Sequence, residues 1–145
     1  MPRTGALLSL SREHHTSLVL ARAIKKVLED GDSIAHQAMA ERIKTHWLTL
    51  LAAHFDEEEH LIHDAAAMLD AGAIERIRAE HAELSSLADT DCPMALTDRL
   101  LRFAELIAAH VRYEERVLFP QLQAHLSMTS DTSFHSIDSV KKDFS

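Results

Sequence analysis

The sequence is poor in cysteine, glycine, proline and aromatic residues, and each shortage excludes a class of protein. Its 145 residues include one Cys, three Gly and three Pro, and 5% are aromatic. All-β sandwiches and barrels need a turn residue about every 8–12 positions, so this composition argues against them. The single cysteine, Cys92, excludes an internal disulfide, which fits the cytoplasm that we predict as the location.

Long hydrophobic runs and an excess of positive charge are also lacking. The longest stretch without Asp, Glu, Lys or Arg is Val117–Ser130, whose 14 residues are too few to span a membrane. The first residues contain no apolar stretch typical of a signal peptide. Lys and Arg number 15 against 23 Asp and Glu, giving a net charge of −8. We therefore predict neither a membrane nor a nucleic-acid partner, and a homo-oligomer stays open.

The few helix breakers divide the chain into four segments, each with an apolar stripe of helical period. The breakers are Gly31, Gly72 and Pro93, and Pro120 lies late in the last segment. Proline lacks an amide hydrogen, so we expect the last helix to be bent or weakened there. The four predicted helices cover residues 9–29, 33–70, 74–89 and 94–125.

The short connections between these segments favour antiparallel neighbours. The predicted fold is therefore all-α, an up-down-up-down antiparallel four-helix bundle that occupies residues 1–126. After residue 126 the composition changes, with many serines and few large apolar side chains. Residues 127–145 are predicted to form a short, flexible polar tail.

Histidine is in excess, at 11 of 145 residues, and part of this excess belongs to an internal repeat. The segments Leu50–Ile62 and Leu106–Leu118 are identical at six of thirteen positions. Each carries a histidine and, four residues later, a glutamate. At about 100° per residue, both positions lie in the middle of an apolar stripe. The repeated pairs are His54 with Glu58 and His110 with Glu114.

The buried glutamates need a partner, because an unpaired buried charge costs more than the stability margin of a domain. No Lys or Arg lies near them on the stripes, so a metal ion is the simplest partner. Helices 1 and 3 each add one mid-stripe histidine. His15 is the alternative to His14, but Arg22 and Lys26 on its face indicate that it is solvated. The predicted ligands are His14, His54, Glu58, His81, His110 and Glu114.

Four imidazoles and two carboxylates are too many donors for one tetrahedral zinc ion. They suit two ions with bridging carboxylates and open coordination positions. This donor set favours two iron ions, with manganese or zinc as alternatives. Apolar stripe residues one or two turns away predict a wall that admits dioxygen and limits water. The wall residues are Trp47, Leu51, Ile77, Phe103 and Ile107.

These residues resemble the motifs of the hemerythrin-like family of cation-binding domains, over about Leu7–Gln123. The resemblance implies a non-haem di-iron centre in a four-helix bundle. The sequence HVRYEERVLFP is the most specific of the motifs. The motifs are REHH at 12–15, HFDEE at 54–58, EH at 80–81 and HVRYEERVLFP at 110–120.

Two departures separate this chain from the oxygen-carrying members that it resembles. Those members have a second histidine one turn before the helix-3 ligand, where this chain has Ile77. They place the helix-4 carboxylate five residues after its histidine, the position of Glu115, whereas Glu114 follows at four. The choice between Glu114 and Glu115 stays open, although the repeat favours Glu114. We predict interaction with dioxygen, nitric oxide or peroxide in sensing, redox protection or iron handling, rather than stoichiometric oxygen transport.

Two alternative functions stay open. One is a di-iron enzyme of the oxidase or peroxidase type, but the sequence offers no acid or base beyond the ligand carboxylates and Tyr113. A dedicated enzyme is therefore the less favoured interpretation. The other is a metal-free, histidine-rich interaction module that responds to pH. A chelator separates this module from a metal protein, because a metal site links binding to stability.

Overall fold

The computed structural model describes residues 4–129, and the regular elements in this range are all helical, with no strand. Helix α1 begins at Gly5, four residues before the predicted start. None of the helices in this range is long and apolar enough to cross a membrane. The helices are α1 (Gly5–Asp30), α2 (Ser33–His46), α3 (Ala52–Ala65), α4 (Ala71–Ala88), α5 (Leu96–Tyr113) and α6 (residues 119–129).

Two π-helical turns connect these helices into four continuous rods, which matches the four predicted helices. Trp47–Leu51 joins α2 to α3, and Glu114–Leu118 joins α5 to α6. Rod 1 is α1, rod 2 is α2 with α3, rod 3 is α4 and rod 4 is α5 with α6. A π-helical turn adds a residue to the helical repeat and is frequent at functional sites.

Aspartate side chains cap the starts of rods 2 and 3. Asp32 accepts a hydrogen bond of 2.9 Å from the backbone N–H of Ala35. Asp70 accepts one of the same length from the backbone N–H of Ala73. Each cap satisfies a donor that the first helical turn leaves unpaired, so both rods begin where the sequence places an acidic residue.

Pro120 does not end rod 4, which continues as a helix to residue 129. In a regular α-helix its ring would clash with the carbonyl group of Arg116, four residues earlier. Arg116 lies in the π-helical turn, where Phe119 donates its N–H to the carbonyl of Glu114 at the wider spacing. The helix passes the predicted domain end at residue 126. The rest of the predicted tail, residues 130–145, lies outside the described residues.

The core contains two apolar clusters with a polar layer between them. The first cluster includes Leu20, Leu84 and Ile107, and the second includes Leu10 and Ile77. Along rods 1 and 3 the second cluster precedes the buried histidine and the first cluster follows it. Along rods 2 and 4 the order is reversed. The contacts between the rods are consistent with the predicted bundle, whose antiparallel order stays a prediction.

Candidate metal centre

Six buried histidine and glutamate side chains form the polar layer, and they are the six residues predicted as ligands. Each is at most 7% exposed. They form two groups that share both glutamates, and within each group the ligand atoms all lie within 4.8 Å of one another. The first group is His14, His54, Glu58 and Glu114, and the second is Glu58, His81, His110 and Glu114.

The two alternatives that the sequence left open are separated by burial. His14 is 4% exposed, whereas His15 lies on the exposed face of α1. Glu114 is fully buried, whereas the side chain of Glu115 is 33% exposed and contacts the outer edge of His14. The structure therefore brings His14 and Glu114 to the centre.

Glu58 directs its two oxygens toward different groups of histidines. Its Oε2 lies 2.9 Å from Nε2 of His54 and 3.6 Å from Nε2 of His14. Its Oε1 lies 3.0 Å from Nε2 of His81. One carboxylate thus presents one oxygen to each group.

Glu114 repeats this arrangement from rod 4. Its Oε1 lies 2.9 Å from Nε2 of His14. Its Oε2 lies 3.2 Å from Nε2 of His110 and 3.8 Å from Nε2 of His81. We call Glu58 and Glu114 the inner carboxylates.

The histidine rings are paired between neighbouring rods. The ring centroids of His14 and His54 are 5.0 Å apart, and those of His81 and His110 are 4.9 Å apart. In each pair Nε2 faces the inner carboxylates. Two imidazoles and two carboxylate oxygens therefore surround each of two positions.

Two buried atoms of the centre have no hydrogen-bond partner within the described residues. They are Nε2 of His110 and Oε2 of Glu114, which lie 3.2 Å apart but are not aligned as donor and acceptor. Buried polar atoms are rarely left unpaired. Donors about 2.0–2.2 Å from one metal ion lie about 3–4 Å apart, so these two atoms fit ligands of a shared ion. The buried histidines and glutamates could thus hold a metal ion.

Each histidine also contacts a second carboxylate through Nδ1, the ring nitrogen that faces away from the centre. We call these four glutamates the outer carboxylates; their side chains are between 15% and 36% exposed. The Nδ1 to oxygen distances are 2.6 Å for His14–Glu115, 2.9 Å for His54–Glu13, 3.2 Å for His81–Glu59 and 2.8 Å for His110–Glu80.

The sequence gives Glu13 and Glu80 no role, although a signal for them exists. Each directly precedes a central histidine, His14 or His81, in the motifs REHH and EH. The sequence cannot reveal which histidine each glutamate contacts, because that partner lies on the neighbouring rod. A carboxylate on the outer nitrogen orients a ligating imidazole and makes it a stronger donor.

Aromatic rings cover two of the histidines, and neither ring was predicted. Phe55 stacks on His81 with centroids 3.9 Å apart, and Phe119 lies 5.0 Å from the ring of His14. Of the predicted wall, four residues are almost fully buried, whereas Trp47 is half-buried and contacts Phe55 instead. The buried members are Leu51, Ile77, Phe103 and Ile107.

The carboxylates raise the pKa of each central histidine when no metal is bound. Burial by itself lowers the pKa of His14, but hydrogen bonds to Glu114, Glu115 and Glu58 outweigh it and raise the pKa to about 11. In the same way, burial is outweighed at His81, whose pKa rises to about 9. The pKa of each of the two other histidines is also raised. Burial disfavours ionised Glu58, but hydrogen bonds from the histidines lower its pKa well below the ordinary value.

The metal-free protein is expected to lose stability as the pH rises from 6.5 to about 9. In this range folded His81 keeps a proton that the unfolded chain releases, because its pKa is raised from 6.5 to about 9. Rising pH therefore favours the unfolded state. Urea unfolding in the presence of a chelator measures the effect. His81→Gln should reduce the slope. A flat profile for the unsubstituted chain would contradict the prediction.

Comparisons with protein-family models, with curated proteins and with solved structures found no match to this chain.

Proposed function

We propose that this protein binds two iron ions in a non-haem di-iron centre of the hemerythrin-like type and interacts with a small molecule. The observation that carries the proposal is the position of the inner carboxylates. Glu58 and Glu114 each present one oxygen to the pair His14 and His54 and the other to the second pair. A hydrogen-bonded polar core has no need of this symmetry, whereas two ions bridged by two carboxylates require it.

The choice of iron rests on the donor set. Each position has two imidazoles and two carboxylate oxygens, with no thiolate. Four protein donors leave about two positions of an octahedral ion open, an arrangement that suits iron in its redox proteins. Iron held in this way supplies one-electron redox chemistry and room for dioxygen, nitric oxide or peroxide. Manganese and zinc remain the alternatives.

The surroundings support a small molecule rather than a larger substrate. Ile77 is fully buried on rod 3, and Phe103 and Ile107 are at most 1% exposed. Such side chains limit water and offer no hydrogen bonds to a polar substrate. Sensing, redox protection or iron handling are the roles that we propose; the cytoplasmic location stays a prediction.

We also propose that the four rods form an up-down-up-down antiparallel bundle. The order of the two apolar clusters supports this arrangement, because it reverses from each rod to the next. On α1 Leu10 precedes His14, whereas on rod 2 Ile62, of the same cluster, follows His54. Neighbouring helices that cross a common layer in opposite directions produce this alternation.

Anaerobic reconstitution with ferrous iron tests the proposed function. We expect two iron ions per chain after removal of excess metal. An optical spectrum should then gain a charge-transfer band on exposure to air or nitric oxide. His60→Gln, a substitution of an exposed histidine, serves as the matched control and should retain both ions. Fewer than two ions per chain in the unsubstituted protein would contradict the proposal.

A further inference from the structure

The outer carboxylates are arranged as a closed ring around the centre. Each rod carries one of them, and each contacts the histidine of the next rod in chain order. The glutamate of rod 1 contacts the histidine of rod 2, that of rod 2 the histidine of rod 3, that of rod 3 the histidine of rod 4, and that of rod 4 the histidine of rod 1. The contacts in this order are Glu13 to His54, Glu59 to His81, Glu80 to His110 and Glu115 to His14.

Three of the four outer carboxylates are themselves held by further side chains. Arg76 donates to Glu80 at 3.2 Å, and Arg78 donates to Glu59 at 3.1 Å. Ser11 donates its hydroxyl to Glu115 at 2.8 Å. Surface carboxylates without such contacts sample many side-chain conformations. These contacts therefore restrict the side-chain motion of these three outer carboxylates.

We propose, on the basis of the proposed di-iron function, that the outer carboxylates are positioning residues, each of which tunes one of the two metal positions. Each accepts a hydrogen bond from the Nδ1–H of its histidine. This bond leaves Nε2 as the only ring nitrogen able to bind a metal and points it at the centre. Glu13 and Glu115 then serve one ion, and Glu59 and Glu80 serve the other.

Glu80 offers the sharpest test, because it is the most buried of the four and its neighbour Glu83 provides a matched control. Glu83 lies on the same helix, has the same charge and also bridges rods 3 and 4, through Arg102 at 2.6 Å. It contacts none of the central histidines. Alanine at either position therefore removes one charge and one bridge between the same rods. Glu80→Ala also removes the contacts to His110 and to Arg76.

The experiment is an equilibrium titration of the full chain with zinc ions in competition with a chromophoric chelator. Loss of a carboxylate next to a ligating histidine typically costs about 10–100-fold in metal affinity. We expect Glu80→Ala to weaken one of the two sites by this factor, and Glu83→Ala to weaken neither. Glu13→Ala should weaken zinc binding at one site. Glu13→Ala combined with Glu80→Ala should weaken zinc binding at both sites. Glu59→Ala combined with Glu80→Ala should again affect only one.

A second readout follows the ring nitrogens directly and does not depend on affinity. In the zinc-loaded protein, nitrogen NMR of the histidines should show Nε2 bound to metal and Nδ1 protonated at all four rings. Glu80→Gln keeps an acceptor oxygen, so it should preserve this pattern at His110 and lose less affinity than Glu80→Ala. If Glu80→Ala does not fold, the affinity of Glu80→Gln tests the positioning role instead.

The outcomes separate the two proposals. If the unsubstituted chain binds no pair of ions, the proposed function fails and this inference with it. If it binds two ions and Glu80→Ala matches Glu83→Ala at both sites, the proposed function stands and the positioning role is wrong. A weakening of both sites by Glu80→Ala alone would also overturn the assignment of each outer carboxylate to one ion.

Discussion

The substitution Glu58→Ala is expected to abolish tight binding of both metal ions, although it changes only one side chain. Glu58 contacts histidines of both pairs, at 2.9 Å from His54 and 3.0 Å from His81. Its loss would remove one proposed donor from each ion and one of the two negative charges between them. Removing a residue that only hydrogen-bonds to a metal ligand typically costs about 10–100-fold in metal affinity, and the loss for Glu58→Ala should be larger. Metal content after anaerobic reconstitution and gel filtration measures the effect.

The control for this substitution is the adjacent residue. Glu57 is exposed on the same helix, so Glu57→Ala changes the net charge equally without touching the centre. It should bind two ions and stay within about 0.5 kcal/mol of the unsubstituted stability. Metal-free Glu58→Ala should lose about 3–5 kcal/mol, because it leaves buried charged histidines without their partner. Two tightly bound ions in Glu58→Ala would exclude the bridging role.

Metal loading is expected to raise the melting temperature by about 15–30 °C relative to protein kept in chelator. A metal ion at a free concentration of about a thousand times its Kd adds about 4 kcal/mol per site to the free energy of unfolding. Each kcal/mol corresponds to about 2–4 °C in a chain of this size. We expect a large effect because all four rods carry proposed ligands, so unfolding of any rod would release the ions. Differential scanning calorimetry with and without metal measures it.

The double variant Glu58→Gln with Glu114→Gln is the control for the thermal experiment. It keeps the volume of both side chains but removes the charge that attracts the ions. Its melting temperature should be the same with and without metal. If the unsubstituted chain also melts at one temperature in both conditions, the histidines serve a metal-free module, the alternative that responds to pH. In that case the functional response would be the loss of stability of the metal-free protein between pH 6.5 and about 9.

The positions of the central residues were predictable because helical periodicity is a local property. The spacing of four between His54 and Glu58 puts both on the apolar stripe, and both are at most 2% exposed. The same spacing places Glu114, rather than Glu115, on the buried face. The sequence predicts that the last helix is bent or weakened at Pro120; the structure has a π-helical turn directly before this proline and continues as a helix to residue 129. The sequence contains no signal for the π-helical turn that precedes this proline.

The contacts around the centre were not predictable, because they join residues far apart in the chain. Glu13 precedes His14 but contacts His54, and Glu80 precedes His81 but contacts His110. A single sequence without its fold gives no reason to pair them. The stacking of Phe55 on His81 is hidden for the same reason.

Composition and spacing by themselves predicted that the described part of the chain is helical and that six particular histidine and glutamate residues lie buried in its core. Those conclusions need only the turn-to-turn geometry of one helix and the cost of burying charge. The tertiary structure alone decided how the six residues divide into two groups and that each inner carboxylate reaches both. It also assigned one outer carboxylate to each histidine. These arrangements depend on which rods are neighbours, and packing between rods sets that order rather than any local pattern.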